Sequence, residues 1–502
     1  MSSQRPTPLK ILFASSEAQP LIKTGGLADV AGSLPPALSH LGEEVRLVLP
    51  AYPTTLEQAR ELTPVSSLRI GAYPGEITIH QGTLEEGVTL YLVEIPGMFD
   101  RPGNPYVDGQ GNNWPDNAQR FAAFCRVVAN IALGQAGLKW LPEIVHCNDW
   151  QTGLVPALIT GEGNRPASIF TIHNMAYQGV FDRITFDQLQ LPPALWSMEG
   201  LEFHNNFSFL KGGLAFADWI TTVSPTYAGE ILTPAFGYGL DGLLEYRKSR
   251  LTGVLNGIDY RVWDPAGDPA IAQPYDAQTL KLKAINKQHL QQELGLPRQP
   301  EALLIGNIGR LVEQKGVDLI LDILPGLMHK ENLQVAILGS GDPELERRLT
   351  AMADAHPGKI AVHIGYDEAL AHRIEAGCDC FLMPSRFEPC GLNQLYSLRY
   401  GTVPIVNRTG GLADTVVDAT PRNLLEGTAT GFVFDRPQPP ALWDCLERVI
   451  EFWNRPAMWW EKLVLAGMRQ DFSWDSSAQH YRDIYHRAID NPAPSPVARK
   501  DD

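Results

Sequence analysis

Lys23-Thr24-Gly25-Gly26-Leu27-Ala28-Asp29-Val30 sets a lysine and a glycine pair between two apolar runs. The run before it, Ile11 to Ala14, reads as a strand, and the run after it, Val30 to Leu41, reads as a helix. Glycines at that junction let backbone approach a ligand. The helix start presents free N–H groups and a positive dipole end, which favour an anion. Lys23 adds a mobile positive charge. On its own the pair is equally a tight turn beside a solvated lysine. A near copy downstream, Arg408-Thr409-Gly410-Gly411-Leu412-Ala413-Asp414-Thr415, implies two strand–turn–helix halves that meet one phosphorylated ligand.

Three further clusters have the residue types for such a ligand. Gly309-Arg310-Leu311-Val312-Glu313-Gln314-Lys315-Gly316 puts a guanidinium and an ammonium five residues apart just past an apolar run. Arg grips phosphate through paired N–H groups and Lys acts as a point charge; a surface salt-bridge loop is the alternative. Pro384-Ser385-Arg386-Phe387-Glu388-Pro389-Cys390-Gly391-Leu392 puts a carboxylate just before a helix start. There Glu388 can accept from sugar hydroxyls, or simply complement the helix end. His173, followed by Asn174, is a donor to a sugar oxygen, a base, or a core histidine. Tyr366 can stack on a nucleobase or pack half-buried. No Walker A pattern, H-E-x-x-H or serine nucleophile elbow occurs, and Gly339-x-Gly341 lacks the third glycine of a dinucleotide fingerprint.

The elements that must position these residues alternate. Candidate strands are Ile11–Ala14, Glu44–Leu49, Thr89–Glu94, Ile144–His146, Ser168–Ile172 and Trp219–Val223, then Leu303–Ile308, Gln334–Leu338, Ile360–His363, Cys380–Met383 and Thr402–Val406. Helical patterns separate most of them, which predicts α/β architecture with parallel sheets covered on both faces. The break between the two sets, Trp263 to Asp276, is rich in proline and small residues and reads as an interdomain linker. In open α/β sheets ligands sit at the carboxyl ends of the strands, and each cluster above falls at such an end. A long polar insertion, Arg101 to Asp116, reads as a functional loop.

At 502 residues the chain is too long for one core, so two domains are expected. Hydrophobic residues make up 44% and charged residues 20%, the balance of a globular protein. A formal net charge of −16 argues against nucleic-acid and anionic-membrane partners. The six cysteines are sparse, with no C-x-x-C pair, which is reduced, cytoplasmic usage. No apolar run is long enough to span a bilayer. Asn491 to Asp502 reads as a disordered tail.

K-T-G-G-L-A-D-V, F-T-I-H-N-M-A-Y-Q-G, V-L-N-G-I-D, R-L-V-E-Q-K-G, P-S-R-F-E-P-C-G-L-N-Q-L-Y and R-T-G-G-L-A-D-T together resemble the bacterial glycogen synthase and plant starch synthase family. The resemblance runs from about Leu9 to about Arg487. It implies the GT-B fold, two Rossmann-like doubly wound domains facing a central cleft. Their spans would be 1–262 and 263–472, with a helix at 473–490 crossing back onto the first domain and the tail at 491–502. It implies a retaining transfer of glucose from ADP-glucose to the non-reducing end of an α-1,4-glucan, such as glycogen or a maltooligosaccharide, without a metal or other cofactor. Plastid stroma replaces cytoplasm only if a transit peptide was removed.

Carried onto this chain, the resemblance places Lys23 and Gly26 near the donor diphosphate from the first domain. Arg310 and Lys315 hold it from the second, with backbone at Thr409, Gly410 and Gly411. Glu388 binds hydroxyls of the transferred glucose, Cys390 and Gly391 present backbone, and Leu392 lies beside them. His173, Asp149, Asn174 and Asn256 line the glucose pocket, and Tyr366 stacks on adenine. Glu388, His173, Lys315, Arg310 and Asp149 carry the catalytic roles. Tyr396 stands where many relatives have a second acid. Asp29, Trp114, Trp150 and Gln151 face the acceptor. Two positions depart from the family pattern: Gln151 replaces a usual histidine, and Gly309 a common serine. The rival readings are a GT-B transferase using UDP-glucose and a glucan-binding scaffold with weak catalysis.

Overall fold

The computed structural model describes residues 7–71 and 73–496. The 497–502 part of the expected tail lies outside them. The chain divides into two compact units. The first runs to Gly257 and resumes at Trp474; the second is Ile258–Ser473.

The first unit is built on a nine-stranded sheet. Its strands are β1 (Lys10–Ala14), β2 (Glu44–Pro50), β3 (Arg60–Ile70), β4 (Tyr73–Thr83), β5 (Thr89–Glu94), β6 (Ile144–Asn148) and β7 (Ala167–Ile172). A separate small sheet takes β8 (Val180–Asp182), β9 (Glu202–Phe203) and β10 (Asn206–Ser208), and the main sheet ends with β11 (Trp219–Thr222) and β12 (Leu251–Gly253). The spatial order is β12-β11-β7-β6-β1-β2-β5-β4-β3. The central strands are parallel and buried, so they read as continuous apolar runs. β3 and β4 form an antiparallel edge hairpin. Most of β3 is exposed or half-buried and it carries no apolar alternation, which is why the sequence pattern does not reveal it.

The first unit's core is completed by the C-terminal helix Trp474–Asp490. Trp474, Ala478, Tyr481, Ile484, Tyr485 and Ala488 pack in one cluster with Ile11, Phe13, Leu34 and Leu47. Just past this helix the expected tail is held: Arg250 donates to the Asn491 carbonyl at 2.6 Å, and the Ala493 amide donates to Asp218 at 2.7 Å. For 491–496 the expectation of disorder is therefore corrected, because buried Asp218 has a backbone donor to satisfy it there.

The second unit carries a six-stranded parallel sheet: β13 (Leu303–Leu311), β14 (Leu333–Gly341), β15 (Ile360–Ile364), β16 (Cys380–Met383), β17 (Val403–Asn407) and β18 (Phe432–Phe434). The order is β15-β14-β13-β16-β17-β18. The segment expected as a linker is instead part of this unit's core. Trp263, Ile271 and Tyr275 are buried. Trp263 is sandwiched between His372 and Tyr396, with ring centroids 3.8 Å away on each face. Asp268 accepts from Tyr400 at 2.6 Å and pairs with His372 at 2.7 Å. The prolines shape a packed, irregular strap, and composition alone does not separate that from a linker.

Candidate active site

Strand order decides where each unit can hold a ligand. In the first sheet the order reverses beside β1, with β2 on one side and β6 on the other. In the second it reverses between β13 and β16. The carboxyl ends at such a reversal splay apart and leave a crevice. The Lys-Thr-Gly-Gly loop follows β1 and Asn148-Asp149 ends β6. Arg310 to Lys315 closes β13 and Glu388 follows β16. His173 follows β7 and Thr409 follows β17, each on a strand next to a reversal, and Tyr366 follows the edge strand β15.

In the first unit, Asp149 has φ 56° and ψ −179°, a sparsely populated backbone conformation for a residue with a side chain. Its amide donates to the Thr171 carbonyl at 3.0 Å. Its carboxylate accepts from the His173 amide at 2.8 Å. Burial pushes this carboxyl up to about 7. Asn148 donates through Nδ2 to the Ala14 carbonyl at 3.0 Å, which turns its Oδ1 toward His173 Nε2, 3.0 Å away. His173 therefore carries its proton on Nε2 and keeps Nδ1 as an acceptor. Burial pulls its pKa down to about 3, so the ring is neutral. Asn256 Oδ1 and Gln151 Oε1 are buried acceptors with no partner among the described residues.

The Lys-Thr-Gly-Gly loop has an anchor that sequence reasoning missed. Buried Glu17 accepts from the Thr24 amide at 2.5 Å and the Thr24 hydroxyl at 2.6 Å. Burial raises Glu17 to about 7, with Asp29 adding to the rise. Tyr106, from the polar insertion, bonds Ser16 at 2.7 Å and adjoins Glu17. The available signal was a lone glutamate between two apolar segments, seven residues before Thr24. Lys23 Nζ pairs with Asp29 at 2.8 Å, and Gly26 opens the helix Gly26–His40. Trp114 is pinned within its own loop: its Nε1 donates to the Asn104 carbonyl at 3.0 Å, and the Arg101 guanidinium lies 4.8 Å from its ring. Trp150 is enclosed by Phe121, Phe181 and Phe209, and Gln151 is buried beside it. Asn174 is half-buried and caps its turn by accepting from the Ala176 amide at 3.0 Å.

In the second unit two sequence motifs are laced into one structure. Lys315 Nζ lies 2.6 Å from Glu388 Oε2, and Ser385 donates to the same oxygen at 3.0 Å. The Arg386 amide donates to the Gln314 carbonyl at 2.8 Å, and its guanidinium grips Asp318 at 2.6 and 2.7 Å. Gly316 makes this approach possible: φ is +71°, and a Cβ there would stand 2.2 Å from the Pro384 carbonyl oxygen. The second Gly-Gly pair is just as crowded. A Cβ on Gly410 would meet the Glu388 carbonyl oxygen at 1.9 Å, and one on Gly411 the Cys390 oxygen at 2.1 Å. Gly25, in contrast, has nothing within 4 Å of such an atom.

The remaining candidates sit around this lacing. Cys390 is buried, Gly391 has φ +73°, and Leu392 precedes the helix Asn393–Tyr400. Tyr396 is buried on that helix. Arg310 is exposed on β13, and Tyr366 is 78% exposed with its hydroxyl 3.2 Å from Glu368. Among the described residues no cluster of three or more His, Cys, Asp or Glu could hold a metal ion, and no helix is long and apolar enough to cross a membrane.

Two doubly wound units, each with cationic and carboxylate groups at its strand reversal, define a two-domain glycosyltransferase of GT-B type. The starch synthase catalytic domain model matches residues 10–246, and the glycosyl transferases group 1 model matches 288–462. Glycogen synthase 2 of Nitrosococcus oceani is 54% identical over 96% of this chain and 97% of its own. The glycogen synthase of Thioalkalivibrio sulfidiphilus is 53% identical over 95% and 99%. The catalytic domain of starch synthase IV from Arabidopsis thaliana, solved with ADP and acarbose, superposes with a TM-score of 0.87 at 32% identity. That comparison covers 96% of this chain and 100% of the other. Sucrose-phosphate synthase from Thermosynechococcus elongatus shares the fold alone, with a TM-score of 0.59 at 15% identity. The chain belongs to the glycogen and starch synthase family.

Proposed function

We propose that this protein transfers glucose from ADP-glucose to the 4-hydroxyl at the non-reducing end of an α-1,4-glucan, with retention, releasing ADP. The observation that carries the reading is the Lys315–Glu388–Ser385 cluster at the β13/β16 reversal, within a chain so similar to glycogen synthases.

Glu388 Oε2 takes both of its bonds from the protein, and Oε1 stands outside them. Oε1 is the atom we assign to glucose hydroxyls. Arg310 and Lys315 supply cationic charge for the departing diphosphate, with N–H groups at Thr409 to Gly411 of the same unit, and Lys23 is assigned to the diphosphate as well. This is preorganised electrostatic stabilisation. Neutral His173 offers Nδ1 to a sugar hydroxyl, and buried, partnerless Asn256 Oδ1 offers a second acceptor. Asn174 completes that lining. Asp149 holds the β7 end through the His173 amide, so it is a pocket residue and not a glycosidase nucleophile. We assign acceptance of the incoming hydroxyl's proton to a leaving phosphate oxygen, on the same face of the sugar. Tyr366, exposed on its loop, stacks on adenine, and Cys390, Gly391, Leu392 and Tyr396 line the donor side. Asp29, Trp114, Trp150 and Gln151 belong to the acceptor side; the enclosed Trp150 ring supports it from behind. No metal is required. Six free, buried cysteines suit a cytoplasmic setting.

The test is ADP release measured for ADP-glucose and UDP-glucose against glycogen and linear maltooligosaccharides. ADP-glucose-dependent elongation with new α-1,4 linkages by carbon NMR is the expected result. Preference for UDP-glucose would favour the rival transferase, and glucan binding without ADP release would favour a scaffold.

A further inference from the structure

We propose that Tyr485, on the C-terminal helix, is a positioning residue for the catalytic edge of the first unit, acting through His146 and Thr171 on Asp149 and His173. This rests on the reading that the β6 and β7 ends carry glucosyl transfer.

The side chains form one buried chain. Tyr485 Oη lies 2.8 Å from His146 Nδ1. His146 Nε2 lies 2.6 Å from Thr171 Oγ1, which lies 2.6 Å from Thr221 Oγ1. All four residues have no exposed surface. His146 sits in the middle of β6, Thr171 near the end of β7 and Thr221 on β11. The chain thus crosses three adjacent strands from one helix. Burial holds His146 at about 3, so its imidazole is neutral. A neutral ring donates at one nitrogen and accepts at the other, so the run of groups is oriented head to tail. Phe13 and Tyr481 pack on the ring, at 4.6 and 5.3 Å between centroids, and keep water away from it.

Core satisfaction alone would account for a tyrosine on a buried histidine. Thr171 adds more. Its side chain ends the contact with His146, and its backbone carbonyl receives the Asp149 amide at 3.0 Å. Asp149 in turn holds the His173 amide, and Asn148, two residues after His146, holds the His173 ring. The strained Asp149 backbone needs its neighbours to over-determine it. Thr171 is where that restraint meets the C-terminal helix.

Three full-length variants test this: Tyr485→Phe, Thr171→Val and Thr171→Ser. The first two each remove one hydroxyl with little change of shape, and the third keeps it. Turnover is measured per active site, with sites counted by ADP binding, and melting temperature is recorded alongside. Tyr485→Phe and Thr171→Val should lower kcat about tenfold, because small misplacements of a reacting geometry are costly. Donor KM should change less than about twofold, and Thr171→Ser should retain wild-type kcat. Wild-type kcat in Tyr485→Phe, with only a lower melting temperature, overturns the proposal. So does a Thr171→Ser variant as slow as Thr171→Val. If Thr171→Val does not fold, Tyr485→Phe decides alone. A wild-type enzyme that releases no ADP from ADP-glucose would instead strike the functional reading, so the two failures are distinct.

Discussion

Lys315 Nζ and Glu388 Oε2 are 2.6 Å apart, so the cation assigned to the diphosphate and the carboxylate assigned to the sugar are partners of each other. A ligand taken by one is felt by the other. Glu388→Ala removes a group whose contacts strengthen as glucose departs, and also releases Lys315 from its place. The expected loss is in kcat, on the order of a hundredfold or more, and is much larger than any change in donor affinity. Steady-state kinetics with calorimetric ADP-glucose binding checks it; a normal kcat with raised KM contradicts the role.

Lys315→Ala should lose a similar share of activity that added magnesium does not restore, while the wild-type enzyme stripped with EDTA keeps most of its rate. The charge on departing ADP is then met by protein cations and N–H dipoles. Abolition by chelation with recovery by magnesium alone would defeat this account. ADP release in metal-free buffer is the measurement.

The two Gly-Gly loops should respond differently to one methyl group. Gly411→Ala forces a Cβ toward the Cys390 oxygen, 2.1 Å away, and should destabilise by about 2 kcal/mol or more. Gly25→Ala meets nothing within 4 Å on extended backbone, so its melting temperature should stay near wild type while ADP binding weakens. Thermal melts and ADP titration of both variants decide it.

Glu17 fixes the sign of a pH dependence. Its pKa is raised from 4.5 to about 7 on folding, so the folded state binds more protons between those values. Its stabilising contribution is present below about pH 4.5 and is lost as pH rises through about 7. Asp149 acts in the same direction. His146 and His173, held at about 3, act oppositely up to their unfolded value of 6.5. Glu17→Gln keeps an oxygen for Thr24 and removes the titration. The melting temperature of the variant relative to wild type should therefore climb from pH 5 to about pH 8. A difference flat across that range contradicts the buried-acid assignment.

The sequence carried the buried parallel strands well, because strands covered on both faces must be apolar along their whole length. The positions of Arg310, Lys315, Glu388 and the glycine loops at strand ends were legible because they lie at or just past those apolar runs. The β3–β4 hairpin was hidden by its wet faces. Residues 263–276 read as a linker from composition because Trp263 and Asp268 find their partners, His372, Tyr396 and Tyr400, more than a hundred residues away. Glu17 escaped notice because its only mark is burial, which a single charged letter does not announce. The near-copy loops looked equivalent, yet one pair of glycines is demanded by packing and Gly25 is not.

The first unit's core is closed by residues 474–490, after the whole second unit has been synthesised. On the ribosome, its sheet emerges with Ile11, Phe13 and Leu34 lacking their last helical cover for more than two hundred residues of synthesis. The second unit is contiguous and can fold in that interval. The order of maturation is therefore the reverse of the order of translation. A premature stop just after Ser473 would leave the later-made unit whole and the earlier-made one exposed to chaperones and proteases.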